Sequence, residues 1–250
     1  MSFYAATSDW HGDHVTLGRD RFGELERHAD EFTGHCLRRK VDRAFFCGDL
    51  CDPDRSPTAF RCVELAQRVA LRLLRAGISS HWLAGNHDVF EDGTGRTTLA
   101  PLQALADWTR GQTQGPFVFV HERPKVIGLP GGGRVLALPY TASSHPYDPV
   151  EWVAGALADA RRPLIVLSHL AVAGVQPGEE TTDMPRGREV LLPLDMFRGQ
   201  RRVLILQGHY HRAQDFQPRP DLPVVHVVGA PMRLTFGHED HEPGFLAAEV

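Results

Sequence analysis

Five short segments of the chain carry side chains able to hold metal ions. In order they are Ser-Asp-Trp-His-Gly-Asp, with Asp9 and His11; Gly-Asp-Leu-Cys-Asp, with Asp49; Gly-Asn-His-Asp, with Asn86 and His87; Ser-His-Leu, with His169; and Gly-His-Tyr-His, with His209 and His211. Oxygen and imidazole donors without a thiolate favour borderline to hard divalent ions such as Mn²⁺, Fe²⁺ or Zn²⁺. Asp49 is a natural bridge, since one carboxylate can give an oxygen to each of two ions. Ions about 3.5–4 Å apart acidify a water between them and stabilise charge on phosphoryl oxygens, which suits in-line attack of hydroxide on phosphorus. Taken singly, Asp-x-His and Gly-Asp are commonplace, and two histidines at i and i+2 can be mere surface. Gly-Asn-His-Asp is more specific, because Asn beside His in a turn has little structural purpose. The chain holds 14 histidines in 250 residues, so the question is how many belong to one site.

The elements that would position these groups alternate. Phe3–Thr7 reads as a buried strand, Asp20–Lys40 as a helix and Ala44–Cys47 as a second strand. Ser56–Ala76 is an amphipathic helix that Ser56 can cap, with Pro57 in its first turn and Gly77 at its end, and Ser80–Ala84 is a third strand. After a helix at Thr98–Trp108 come short strands at Phe117–His121, Lys125–Leu129 and Arg134–Leu138, then a helix near Val150–Ala160. Further strands are expected at Leu164–Leu167, Val203–Leu206, Val224–Val228 and Phe245–Glu249. Strand–helix alternation is the mark of right-handed βαβ units around a buried sheet. Every candidate group follows the C-terminal end of a strand, where open α/β sheets place their sites. Gly48, Gly85 and Gly208 stand just before three of the groups and permit tight turns. Ala173–Arg188, rich in Gly, Pro, Glu and Thr, is the one long irregular stretch. A single α/β domain over residues 1–250, with two packed sheets, accounts for the pattern.

Composition narrows the function. At 42% hydrophobic and 23% charged, the chain is too apolar for disorder. No apolar run is long enough for a membrane span, and the first residues lack the basic and apolar regions of a signal peptide. Cys36, Cys47, Cys51 and Cys62 show no CxxC spacing and read as reduced thiols of a cytoplasmic protein. The net charge of -4 argues against nucleic-acid binding by sheer positive charge, although bound cations would alter that balance. Of 27 basic residues only Lys40 and Lys125 are lysines; the arginines would suit phosphate contacts, or reflect genome composition.

The ordered segments resemble the calcineurin-like metallophosphoesterase superfamily, whose fold is a four-layer αββα sandwich of two mixed sheets flanked by helices. Within it, the blocks SDWHGD, GDLCDPDRSP, LAGNHD, SHLAVAG, GHYHRAQ and GAPMRLTFGHEDHEPGF are most similar to SbcD-type DNA repair exonucleases. The resemblance implies that Asp9, His11 and His211 hold one ion, that Asn86, His169 and His209 hold the second, and that Asp49 is shared. It implies that His87 is no ligand but lies beside the scissile phosphate, stabilising its charge or protonating the leaving oxygen. Asp52 would orient His87, or else cap the turn before Pro53. Tyr210 could pack on a base or face the sheet, and Arg212 and Arg233 could contact phosphate. Asp88 is expected to support its loop, Trp10 to anchor in the core, and His121, His145 and His226 to be ordinary strand or loop histidines.

The expected activity is a two-metal phosphodiesterase cleaving DNA, single-stranded or at duplex ends, with Mn²⁺ as the favoured ion. Family relatives continue into a DNA-gripping cap and a helical segment that docks on an SbcC-type coiled-coil ATPase. The chain ends at Val250, so neither is expected here and that partner is doubtful; a homodimer is open. Gly12–Thr16 replaces the Leu-Gly usual after the first motif, which would alter one wall of the substrate groove. The alternatives are a phosphoesterase acting on small nucleotides or other phosphoesters, and a non-catalytic scaffold, which the complete ligand set disfavours.

Overall fold

The computed structural model describes residues 2–52, 58–90, 92–112, 115–141, 146–159, 162–176, 190–234 and 242–249. The first sheet has the order β13-β1-β4-β5-β6, built from Leu246–Glu249, Phe3–Thr7, Arg43–Phe46, Ser79–Leu83 and Val118–His121. Its pairings are parallel except that β13 runs antiparallel to β1. The second sheet has the order β11-β12-β10-β9-β8-β7, built from Gln214–Phe216, Val225–Val227, Val203–Gln207, Leu164–Ser168, Arg134–Leu138 and Lys125–Gly128. Here β8, β9, β10 and β12 are parallel, and antiparallel strands flank them on both sides.

Helices α1 (Phe22–Arg39), α2 (Ala59–Arg75) and α3 (Ala100–Arg110) cover the outer face of the first sheet. Leu25, His28, Ala29, Phe32 and Cys36 of α1 recur at helical spacing and are buried there with Leu65, Val69 and Leu73 of α2. Helix α4 (Pro149–Leu157) covers the second sheet, burying Val153 and Ala156 against Leu136, Val166 and Ile205. Ala6, Phe45 and Leu83 meet Val135, Ile165, Leu167 and Leu206 between the sheets. The layers are therefore helix, sheet, sheet, helix, as expected.

Two structural details carry no sequence signal. Val15–Thr16 (β2) and Arg19–Asp20 (β3) form a hairpin whose turn puts both Leu17 and Gly18 at positive φ, the geometry of a type I′ turn. Strand β11 is only three residues long, too short for a period to show. Ser56 and Pro57, the greater part of the irregular stretch, and the segment 235–241 lie outside the described residues.

Candidate metal centre

Register brings the candidate loops together. Thr7 pairs with Phe46 and Phe46 with Trp82 in the first sheet, while Ser168 pairs with Gln207 in the second. The loops that follow these strands therefore leave the same edge of the sandwich. Backbone bonds zip the first two, from Asp9 N–H to the Gly48 carbonyl (2.8 Å), His11 N–H to Asp49 (3.2 Å) and Gly12 N–H to Leu50 (3.1 Å). Asp9, His11, Asp49 and His209 all have positive φ, four of the six such non-glycine residues among those described. Such backbone is costly for a side chain bearing Cβ and clusters at functional sites. Gly48, at φ +107°, could carry no Cβ, which would fall 2.1 Å from His169 Nδ1; a Cβ on Gly85 would fall 2.1 Å from Asp49 Oδ1.

Asp88 locks the loops from below. Its fully buried carboxylate accepts the N–H groups of Asp49 and Leu50 (2.9 Å each) and of Gly85 (2.8 Å), and the Thr98 hydroxyl (2.5 Å). Burial, then the neighbouring Asp49, raises its pKa to about 6.

The ligand-type atoms form two groups. In one, His11 Nε2 lies 3.1 Å from His211 Nε2, and His211 Nε2 lies 3.9 Å from Asp9 Oδ1. In the other, Asn86 Oδ1 lies 3.1 Å from His169 Nε2 and 3.0 Å from His209 Nδ1. Asp49 Oδ2 sits between them, 3.2 Å from His169 Nε2 and 3.7 Å from His11 Nε2. The Asp9 carboxylate reaches both groups, since Asp9, His11 and His211 have ligand atoms within 4.8 Å of one another, as do Asp9, Asp49 and His169.

The hydrogen-bond logic of this cluster lacks protons. His169 Nδ1 donates to the Cys47 carbonyl at 2.6 Å, so neutral His169 presents a lone pair at Nε2. That lone pair faces two acceptors, Asn86 Oδ1 and Asp49 Oδ2. Asp9 Oδ1 accepts the His209 N–H (3.1 Å), but Asp9 Oδ2 is buried without a hydrogen-bond partner among the described residues. Either a proton on His169 Nε2 or a metal cation resolves acceptors facing acceptors, and this set of imidazoles, carboxylates and an amide oxygen fits a pair of divalent ions. Burial would raise Asp49, but His169, His87 and His11 outweigh it and hold its carboxyl well below the usual range. Burial would lower His169, but Asp49 and Asp9 carry it up to about 9, whereas burial and His211 hold His11 well below its usual value. Burial raises Asp9, against His169 and His211.

His87 stands at the mouth, its side chain 38% exposed and its ring 4.9 Å from that of His11. Its N–H donates to Asp49 Oδ1 (2.9 Å), and its Nδ1 lies 3.7 Å from Asp52 Oδ2. Asp52 in turn donates its N–H to Asp13 Oδ2 (3.1 Å). Trp10 is fully buried. Tyr210 is not placed to meet a base. It packs under the second sheet, and its hydroxyl accepts the Val172 N–H (2.8 Å) and donates to the Val172 carbonyl (3.2 Å). Arg212 and Arg233 are exposed, and the Arg233 carbonyl accepts from the Arg21 guanidinium at 3.0 Å. His145 lies outside the described residues. Thr7 and His28 meet Trp10 of the first ligand loop in a hydrogen-bonded series without any sign in the sequence; a threonine in a strand and a histidine on a helix's apolar face carry no signal of it.

Comparisons with known proteins agree with this architecture. The SbcD component of the SbcCD nuclease from Escherichia coli strain K12 is 24% identical over 248 residues, covering 92% of this chain, and the O157:H7 protein matches equally. The chain spans 60% of the length of these curated relatives. A dimetal phosphatase from Danio rerio superposes with a TM-score of 0.57 at 11% identity, covering 98% of this chain and 91% of that one, a likeness of fold. The family model for calcineurin-like phosphoesterases matches residues 4–213, and the chain belongs to that family.

Proposed function

We propose that the chain is a two-metal phosphodiesterase that hydrolyses DNA, with Mn²⁺ as the working ion and Fe²⁺ or Zn²⁺ as substitutes. The observation that carries the chemistry is the convergence around Asp49 of carboxylates, imidazoles and the half-buried Asn86 amide from five loops. Metal-dependent phosphoester hydrolysis follows from family membership; DNA as substrate rests on the similarity to the SbcCD nuclease.

Bound divalent ions supply charge stabilisation at phosphorus and acidify water. The chain's own groups do the rest. Asp9, His11 and His211 would hold one ion, Asn86, His169 and His209 the other, with Asp49 between them. The His169 bond to the Cys47 carbonyl fixes the tautomer that offers Nε2. His87, at the exposed rim, would protonate the leaving sugar oxygen or hold its charge. Asp52 would steer that ring through Nδ1, and the exposed Arg212 and Arg233 would contact phosphate.

The test is a substrate panel with and without Mn²⁺: labelled single- and double-stranded DNA, a chromogenic diester and cyclic nucleotides. Mn²⁺-dependent DNA cleavage supports the reading. Turnover of only the small substrates, which the net charge of -4 favours, would move the function to nucleotide or other small phosphoesters.

A further inference from the structure

Three side chains beneath the first ligand loop form a directional hydrogen-bond chain. The Trp10 indole Nε1–H donates to Thr7 Oγ1 at 2.8 Å, and Thr7 Oγ1 lies 2.9 Å from His28 Nε2. Thr7 and Trp10 are fully buried, and His28 nearly so. In the neutral ring with its own proton on Nδ1, His28 Nε2 accepts the Thr7 hydroxyl proton. Burial favours that form, lowering the His28 pKa to about 4.

The chain ends on the residue between two ligands. Asp9 and His11 have φ of 50° and 39°, so the backbone on either side of Trp10 is held in left-handed conformations that a side chain with Cβ resists. This turns Asp9 and His11 toward the site while Trp10 points the opposite way, edge-on to Phe46 and Trp82 at 5.3 and 6.0 Å. Ring contacts alone would let the indole slide in its plane. The bond to Thr7, set in turn by His28 on α1, fixes it.

We infer that His28 is a positioning residue for the first ion. Through Thr7 and Trp10 it holds the backbone that presents Asp9 and His11 to His211. The inference rests on the two-ion reading above, but not on the identity of the substrate.

Mn²⁺ affinity tests it, titrated by electron paramagnetic resonance in an Asn86→Ala background that leaves the first ligand group intact. His28→Leu should weaken binding about tenfold, the low end of what outer partners of metal ligands contribute. His28→Gln, whose amide oxygen can accept the Thr7 hydroxyl, should recover most of that loss. Trp10→Phe, which keeps a buried ring and removes the indole donor, should weaken binding as His28→Leu does and serves where His28→Leu fails to fold. A lowered melting temperature with unchanged affinity would make the chain mere core support and overturn the inference, as would a Gln variant no better than Leu. A parent protein that binds no Mn²⁺ at all would overturn the two-ion reading, and this inference with it.

Discussion

Two buried histidine clusters of this molecule share a residue type and differ in what they can do. At the loop edge, His11, His169, His209 and His211 crowd around Asp9, Asp49 and Asn86. Between the sheets, His81 of β5 and His121 of β6 stack at 5.3 Å, with His81 Nδ1 3.0 Å from His121 Nε2 and Arg43 donating to His81 Nε2 at 3.3 Å. In this second cluster donors meet acceptors. The guanidinium must donate, so His81 Nε2 accepts and its Nδ1–H donates to His121 Nε2. The series ends on His121 Nδ1, a buried donor without a partner among the described residues. Burial holds both rings low, with His121 at about 3, helped by Lys125. In the loop cluster, acceptors meet acceptors and two buried carboxylates face the rings. The loop cluster's facing lone pairs and buried carboxylates fit added cations, whereas in the second cluster the protein's own Arg43 supplies the donor that orders the rings.

The contrast can be broken in order of expected effect. Asp49→Asn should strip the loop cluster of its shared charge, lowering Mn²⁺ stoichiometry from two and phosphodiesterase kcat/KM by about 10³-fold or more, since metal charge stabilisation is worth several kcal/mol. Metal analysis of the purified variant checks the first part, and undiminished metal would count against a bridge. His87→Ala should keep both ions yet lose about 10²–10⁴-fold in kcat, the usual share of general acid catalysis. Full activity there would remove the assigned role.

On the other side of the comparison, Arg43→Met should leave Mn²⁺ stoichiometry unchanged and cost about 1–3 kcal/mol in urea denaturation, because it leaves a buried acceptor unsatisfied. Altered metal content would show that the two clusters are coupled. The smallest effect is in pH. His121 is held low at about 3 from 6.5, so the unfolded chain binds its proton first and the folded state loses stability as pH falls below 6.5. From pH 6.5 to 5.5 the expected loss is about 1 kcal/mol for this histidine. His121→Leu should flatten that part of the profile in metal-free protein. An unchanged slope would mean that His121 does not sense the burial the geometry assigns it.

Legibility from sequence followed how local each signal was. The strand–helix alternation from Phe3 to His121 was readable because apolar period and turn residues act within a dozen positions. The hairpin at Val15–Asp20 was not, because two-residue strands have no period and a Leu at positive φ is an uncommon turn signal. Asp88 could be placed in a supporting role, but not as the acceptor of three backbone N–H groups and a hydroxyl. Tyr210, flanked by His209 and His211, invited a substrate role because adjacency in sequence says nothing of direction. Successive side chains leave opposite ways, and Tyr210 turned to Val172.

By itself the sequence determined the residue types and their order: carboxylates, an asparagine and imidazoles at successive strand ends, and with them the class of ion and of reaction. Tertiary structure alone decided which lone pairs oppose one another. His11 and His211 are 200 positions apart and meet because two sheets pack face to face with parallel strands in register. It likewise separated the histidines facing Asp49 from those facing Arg43. The physical reason is that a histidine's state is set by the charge and the lone pairs within about 4 Å of its ring, and those come from elsewhere in the chain.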